Sequence, residues 1–347
     1  MASFFYKLTR YEYWPWWLFY LPMAPYYVYQ AVRTGSLTFP TSVNPAIYGG
    51  GFYGEKKTEI LKHLPAEYLP VTLFISKETS FTDIQQLISA NGLTFPVIAK
   101  PNVGERGTNV EKISSTQQLQ HYAQRVQEDF LIQEFIEYPI ELAVLYSRLP
   151  SKEKGEVSSI TAKEFLTVTG DGVSTVEELV LKNPRATFQL PNLQKRMNGQ
   201  LRSVLPANEV QLLEPIGNHC RGTTFLNGNK LISEQVNAVF DKICGPYEGF
   251  FYGRFDLKVA SHQDFEEGKN IKIMELNGIS ADPAHVYDPD YKLLSAYRDI
   301  RWHWKRLADI HLENKRKGHL PISNHEMWSI IKNTFFNNKK TDAKPIS

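Results

Sequence analysis

Side chains alternate across a β-strand, and two short stretches of this chain use that alternation to gather charge on one face. In Gly253-Arg254-Phe255-Asp256-Leu257-Lys258-Val259, Arg254 and Asp256 share a face. In Ile271-Lys272-Ile273-Met274-Glu275-Leu276-Asn277, Glu275 and Asn277 do the same. Carboxylate and amide oxygens suit Mg²⁺, which takes a few protein oxygens together with phosphate oxygens. An arginine beside them completes a site for negative charge. The same residues also fit two core strands with charged outer faces, and the rest of the chain has to decide between the two.

With 347 residues, 42% of them hydrophobic, the chain is long enough for a large core and roughly two domains. Lys and Arg number 39 against 37 Asp and Glu, a net charge of +2. A nucleic-acid binder would carry a marked basic excess, so no nucleic-acid partner is expected. The two cysteines, Cys220 and Cys244, lack metal-ligand spacing and are expected as buried thiols in a reducing compartment. The N-terminal apolar stretch has no small-residue cleavage pattern. The expected location is therefore cytoplasmic, with membrane association left open by that same stretch.

From Tyr13 to Val32 there is no charged residue, only an aromatic and apolar run broken by Pro15, Pro22 and Pro25. About 20 apolar residues are the minimum for crossing a bilayer, but prolines interrupt a spanning helix and Trp and Tyr favour membrane interfaces. Three readings stand: an aromatic arm packed on the protein's own surface, an interfacial contact through residues 13–32, or a transmembrane helix. Lys7, Arg10 and Arg33 flank the run.

Further on, Gly49, Gly50, Gly51 and Gly54 make a turn before a helix start at 55–62. The patterns then predict a strand at 71–75, a helix at 82–90, a strand at 95–101 and a glycine-bounded loop at 104–109. A helix at 114–127 and a strand at 130–136 follow. Strands are predicted at 160–169, 211–213 and 230–233, and helices at 175–181, 236–244 and 290–317. Thr175 caps one of these, with Glu177 and Glu178 in its first turn. Ser323-Asn324-His325-Glu326 is a capping-box pattern opening a last helix through 336, and 337–347 is a polar, basic tail expected to be disordered. Interleaved strands and helices of this kind indicate an α/β or α+β enzyme.

A glycine-rich loop after a lysine-ended strand lets backbone N–H groups approach phosphate while the lysine supplies charge. Lys100 with Gly104 to Gly107 has that form, though not the Gly-Lys-Ser/Thr ending of the Walker loop. Its weight comes from order along the chain: Lys100 and the loop, then Gln133-Glu134-Phe135-Ile136, then Arg254 and Asp256, then Glu275 and Asn277. Phosphoryl transfer needs positioning and charge neutralisation more than covalent help, and this set supplies both.

In that order the chain resembles the ATP-grasp superfamily, particularly D-alanine–D-alanine ligase and the ATP-grasp parts of cyanophycin and glutathione synthetases. The resemblance spans about Lys57 to Asp288 and rests on FPVIAKPNVGERGTNV, LIQEFIEYPIEL, TGDGVSTVEELVLKNPRA, YGRFDLKV and IKIMELNG. It implies an α+β, ATP-grasp fold, two lobes gripping ATP, with a short aromatic N-terminal arm and a helical C-terminus. Gln133, Glu134, Phe135 and Ile136 would be the adenine-contacting hinge and Glu141 would hold the ribose hydroxyls. Lys100, Gly104 and Gly107 would grip phosphate. Lys57 would be the upstream ATP lysine, with Lys56 and Lys62 as adjacent alternatives, and Lys163 a further phosphate or substrate contact. Asp256, Glu275 and Asn277 would bind Mg²⁺, with Mn²⁺ the alternative, and Arg254 would face the reacting carboxyl.

The implied activity is an ATP-dependent ligase that joins a small-molecule carboxylate to an amine through an acyl phosphate. The alternatives are a kinase that stops at phosphoryl transfer and a non-catalytic, membrane-associated nucleotide-binding module. Substrate contacts fall on Asn218, His219, Arg221 and Thr223 or on His285, each equally readable as packing. Trp302, His303 and Trp304 read as lobe packing, and Arg301, Lys305 and Arg306 as a solvated helix face. The expected division is an aromatic segment over 1–50, a first lobe over 51–130, a second over 131–318, and a terminal helix and tail over 319–347. Relatives carry a substantial N-terminal α/β domain that is not recognisable here, and NGISADP departs from the Asn-Thr-Ser-Pro-Gly pattern of D-alanine ligases. D-alanine is therefore not the expected substrate.

Overall fold

The computed structural model describes residues 2–52, 57–103, 109–197 and 199–332, with side chains from residue 6 onward. Its strands are β1 (Thr72–Ile75), β2 (Val97–Pro101), β3 (Glu111–Ile113), β4 (Phe130–Glu134), β5 (Ile140–Ser147) and β6 (Glu156–Glu164). They continue as β7 (Thr167–Thr169), β8 (Val210–Leu212), β9 (Thr224–Asn227), β10 (Tyr252–Val259) and β11 (Ile271–Asn277). Two antiparallel sheets dominate: a four-stranded one ordered β1-β4-β2-β3 and a five-stranded one ordered β11-β10-β5-β6-β9. Each is backed by helices, so the chain is α+β with two lobes, as the sequence led us to expect.

In the first lobe Val97, Ala99, Phe130 and Ile132 pack beneath the helices Phe81–Ala90 and Thr116–Arg125, through Ile84, Leu119 and Tyr122. Strand periodicity of two then sends Lys100 and Gln133 to the other face. In the second lobe Phe255, Leu257 and Val259 of β10 join Leu142 and Val144 of β5 and Phe240 and Ile243 of the helix Glu234–Cys244. Arg254, Asp256 and Lys258 consequently point away from that core. A smaller core, including Leu166, Val176, Leu193 and Leu213, holds β7 and β8 against three short helices.

The pairing of β10 with β11 contains a β-bulge. Leu257 faces Ile273 but Asp256 faces Glu275, so Met274 is the extra residue. An extra residue reverses the alternation beyond it. Ile271 and Ile273 therefore lie in the core, while Glu275 and Asn277, of the same sequence parity, turn to the polar face with Asp256 and Arg254.

The N-terminal segment forms the helices Ala2–Thr9, Trp16–Tyr20 and Ala24–Thr34, of which the second and third pack on the 24-residue helix Leu293–Arg316. Phe19 and Met23 are buried with Val286, Ala296 and Ile300. Tyr11 stacks on Phe19 at 5.5 Å between ring centroids, and Tyr20 stacks on Trp304 at 5.9 Å. The arm is thus packed on its own protein, and no described helix is long and apolar enough to cross a membrane.

Several sequence expectations shift. Residues 230–233 are not a strand: Asn227 Oδ1 accepts from Asn229 N and Asn229 Oδ1 from Ile160 N, which bends the chain into a turn just after β9. Strand β5 had no alternation to mark it, because 142–147 is buried throughout at the centre of its sheet. Cys220 is exposed, and only Cys244 is a buried thiol. Arg306 is not on a solvated face, since it is half-buried and ion-paired with Glu156. The last helix is described over Asn324–Lys332, with Ser323 Oγ accepting from Glu326 N at its start, and its expected continuation to 336 lies outside the described residues. Gly54, Lys56, Gly104 and Gly107, like the tail beyond 332, lie outside the described residues.

Candidate functional site

Strands β11, β10, β5 and β6 lie side by side, and their polar faces bring together residues far apart in sequence. Glu275 sits directly across from Asp256, and Asn277 across from Arg254. Asn277 Nδ2 donates to Asp256 Oδ2 at 3.0 Å, leaving its own amide oxygen as an acceptor for something else. Arg254 Nη2 lies 3.3 Å from the same Asp256 oxygen. The other oxygen, Oδ1, pairs with Lys163 Nζ at 2.9 Å, and Lys163 also reaches Glu141 Oε1 at 2.9 Å.

Both side chains of the Lys163–Asp256 pair are buried. Burial disfavours the charged form of each, yet the surrounding charges prevail. Arg254 and Lys163 hold the Asp256 carboxyl down at about 2. Asp256 and Glu141 in turn push Lys163 above the ordinary lysine value. A loop closes over this group: a Cβ at Gly217 would overlap the Glu141 carboxylate, so that close approach requires glycine.

The first lobe contributes from the opposite side. Lys100 Nζ donates to Gln133 Oε1 at 2.9 Å and, across to the second lobe, to the carbonyl of the bulged Met274 at 3.0 Å. Burial pushes Lys100 down to about 8, with Lys57 adding to the shift and Glu275 opposing it. Lys57 Nζ is 3.7 Å from Glu275 Oε1, so of the two described upstream lysines, Lys57 and Lys62, it is Lys57 that the structure brings to β11. Lys62 is instead paired with Glu59. Three lysines, one arginine, two opposed carboxylates and an amide thus gather where the two sheets meet.

The hinge residues divide. Gln133 is buried and its side chain is engaged by Lys100 and by Thr72, while Glu134 accepts from Val71 N. Phe135 lies under the Lys112 and Lys258 ammonium groups, and the Ile136 carbonyl accepts from Lys258 Nζ at 2.9 Å. Asn218 caps a turn through Cys220 N, and Arg221 pairs with Glu214. His285 is buried between Ser159 Oγ and Asp299, and Ser159 is in register through Leu145 with Arg254, on the same face of the sheet. His303 is also buried, bonded to the Tyr252 hydroxyl.

Sequence reasoning missed the residues that the N-terminal arm and the 282–287 segment bring to Arg254. Tyr20 and Tyr287 both donate to the Asp282 carboxylate, at 2.5 and 2.9 Å, and Arg254 Nη1 donates to the Asp282 backbone carbonyl at 3.4 Å. Glu12, in the same arm, is buried against Arg185 and His219. No periodicity or motif marks these contacts; they depend on the arm lying over the second lobe.

A hard divalent cation fits the donor chemistry: two carboxylates opposed on neighbouring strands and an amide oxygen on one face. Asp256 already serves Lys163, Arg254 and Asn277, so Glu275, more exposed and in contact with Lys57, is the more available carboxylate.

No family model matches the sequence, and no curated protein matches it significantly. Among solved structures, a bifunctional glutathione synthetase from Pasteurella multocida matches at 15% identity and a TM-score of 0.39, over 76% of this chain and 38% of that one. D-alanine–D-alanine ligase from Bacillus anthracis matches at 14% identity and 0.39, over 76% and 67%. VanG D-Ala:D-Ser ligase from Enterococcus faecalis matches at 12% and 0.43, over 74% and 61%. The chain spans 38% of the length of the first of these structures and 61–67% of the other two.

Proposed function

We propose that this protein is a Mg-ATP-dependent ligase that joins a carboxylate to an amine through an acyl phosphate. The observation that carries the reading is the pairing of Asp256 with Glu275, and of Arg254 with Asn277, across β10 and β11, with Lys57 at the start of a helix packed on β11 and Lys100 reaching across from the other sheet. Cations on one side and oxygen ligands on the other suit a triphosphate with its metal.

Asp256, Glu275 and Asn277 would hold Mg²⁺, which when bound supplies charge neutralisation at the phosphate oxygens. Lys100 and Lys57 would grip the phosphates. The substrate carboxylate oxygen attacks the γ-phosphorus, the β–γ anhydride bond breaks, and ADP leaves with the electron pair. The amine then attacks the acyl carbon, the acyl–oxygen bond breaks, inorganic phosphate leaves, and the amine gives up a proton. Arg254 would neutralise charge building on the carboxyl oxygens in both steps. The protein needs no nucleophile of its own, which agrees with a site made of cations and acceptors.

The test is incubation of the full chain with Mg-ATP and panels of small carboxylates, with and without amines, following ADP, phosphate and product mass. Phosphate release that requires both partners supports ligation. A stable phosphorylated product would replace it with a kinase, and tight ATP binding without turnover on any panel with a non-catalytic module.

A further inference from the structure

The N-terminal arm has two faces, and the packing of the fold uses only one. In Trp16–Tyr20, Phe19 is buried and Tyr20 reaches Asp282, while Trp16 and Trp17 are 67% and 54% exposed. In Ala24–Thr34, Gln30, Ala31 and Thr34 are buried, whereas Pro25, Val28, Tyr29 and Val32 are exposed, Val32 to 78%. Those four positions follow the i, i+3, i+4, i+7 spacing of one helical stripe. An apolar stripe on the solvent side of a packed helix is the reverse of the normal arrangement, and continuous exposed apolar surface marks a contact.

The same stripe continues into a groove of about 650 Å³ between Val28, Val32 and Leu37 on one side and Leu320 and Ile322 on the other. Lys315 stands in it, donating to the Thr34 carbonyl at 3.1 Å and making no ion pair among the described residues. Cations border the stripe. Arg33 and Lys305 share the single carboxylate of Asp309, and the Arg301 guanidinium lies over the Tyr26 ring. No acid occurs between Tyr13 and Val32.

We propose that this face docks on an anionic phospholipid surface, with the arm lying in the interfacial plane and the Lys315 groove receiving part of a lipid. Trp and Tyr favour the headgroup boundary, and a cationic rim around an apolar stripe is complementary to negative lipid. A second copy of the chain fits less well, because a two-fold contact would set the Arg33, Arg301 and Lys305 border against itself. Docking in this way holds the Tyr20–Asp282–Arg254 contact, on the other side of the same short helix, next to the membrane. This proposal is independent of the ligase reading.

It is tested by co-sedimenting the full chain with vesicles of phosphatidylcholine alone and of phosphatidylcholine with phosphatidylserine. Binding is expected to the second kind, weakening with salt, with arm tryptophan emission quenched by brominated lipid. A Trp17→Ser/Val32→Ser variant, changed only at exposed positions and checked by its melting temperature, should bind at least about tenfold more weakly. A Trp16→Phe/Trp17→Phe variant, which keeps the rings apolar and the fold unburdened, should bind but lose the quenching. Failure of the wild-type chain to pellet with either vesicle overturns the proposal. So does undiminished binding of the serine variant, or a lipid-free dimer in sedimentation velocity that the serine variant abolishes.

Discussion

Lys163 lies 2.9 Å from each of two buried carboxylates, and that single ammonium decides whether Asp256 and Glu141 are tolerable where they are. Removing one partner of a buried ionic group leaves uncompensated charge, which costs more than the group ever contributed. Lys163→Met should therefore destabilise the fold by about 3–5 kcal/mol, read from urea unfolding at neutral pH. A change below about 1 kcal/mol would mean the carboxylates are hydrated rather than buried. At Asp256 and Glu275 the outcome separates differently. Asp256→Ala/Glu275→Ala should lower ATP turnover by roughly a hundredfold or more, and unimpaired turnover would sink the assignment of these residues to the metal. These side chains were visible from the sequence because carboxylates in a strand pattern stand out against apolar neighbours. Their geometry was not. Simple alternation would put Glu275 and Asn277 on the face of Ile271 and Ile273, and only the bulge at Met274 turns them to the polar face with Asp256. Nor did the sequence reveal that the Gln133 side chain is engaged by Lys100 and Thr72, since hydrogen-bond partners are set by the fold.

Among elements, the ones with local signals were read well. Thr175 and Glu178 form a reciprocal cap, with Thr175 Oγ1 accepting from Glu178 N and Glu178 accepting from Thr175 N, as the Thr-x-x-Glu spacing suggests. Elements without such signals were missed: β5 is buried on both faces and so carries no alternation, and the turn at 229–231 is made by side-chain hydrogen bonds. The helix Leu293–Arg316 lies between these cases, because its length is plain in the sequence but its buried histidine is not. His303 is held against the Tyr252 hydroxyl at 3.0 Å, and burial, with His285 adding, pushes it down to about 3. Asp299 opposes the shift. An unfolded histidine titrates near ~6.5, so between there and about 3 the unfolded chain binds the extra proton and the fold does not. Stability from this residue is therefore full above ~pH 6.5 and falls as the pH drops, by up to ~1.4 kcal/mol per unit. His303→Asn, whose amide oxygen replaces the ring nitrogen toward Tyr252, should flatten denaturation curves between pH 6 and pH 4 by about that slope. Asp299, held down at about 2 despite partial burial, through His285 and its other partners, contributes its own loss only below ~pH 4. Curves for the variant that remain as steep as those of the parent would show that His303 is not the titrating group.

The molecule as a whole is organised by a cation that crosses between its sheets. Lys100 belongs to β2 of the first lobe but donates to the Met274 carbonyl of the second, beside Lys57, whose helix packs in the second core and which lies near Glu275. Neither contact is an ion pair of good geometry, and Lys100 carries its charge at a burial penalty. A polyphosphate between the lobes would give Lys100 a charged partner, which ties nucleotide binding to the stability of the two lobes together. A ligand that binds only the folded state stabilises it by about 2.7 kcal/mol at a hundred times its Kd. For a chain of this size that is a rise of a few degrees in melting temperature. Mg-ATP should produce that rise in the full chain, measured by thermal unfolding with nucleotide in excess. Lys100→Met removes a buried charge and should melt no lower than the parent without nucleotide, yet it should lose most of the Mg-ATP increment. An equal increment in the variant would place the phosphates elsewhere, and no increment in the parent would remove the nucleotide from this site altogether.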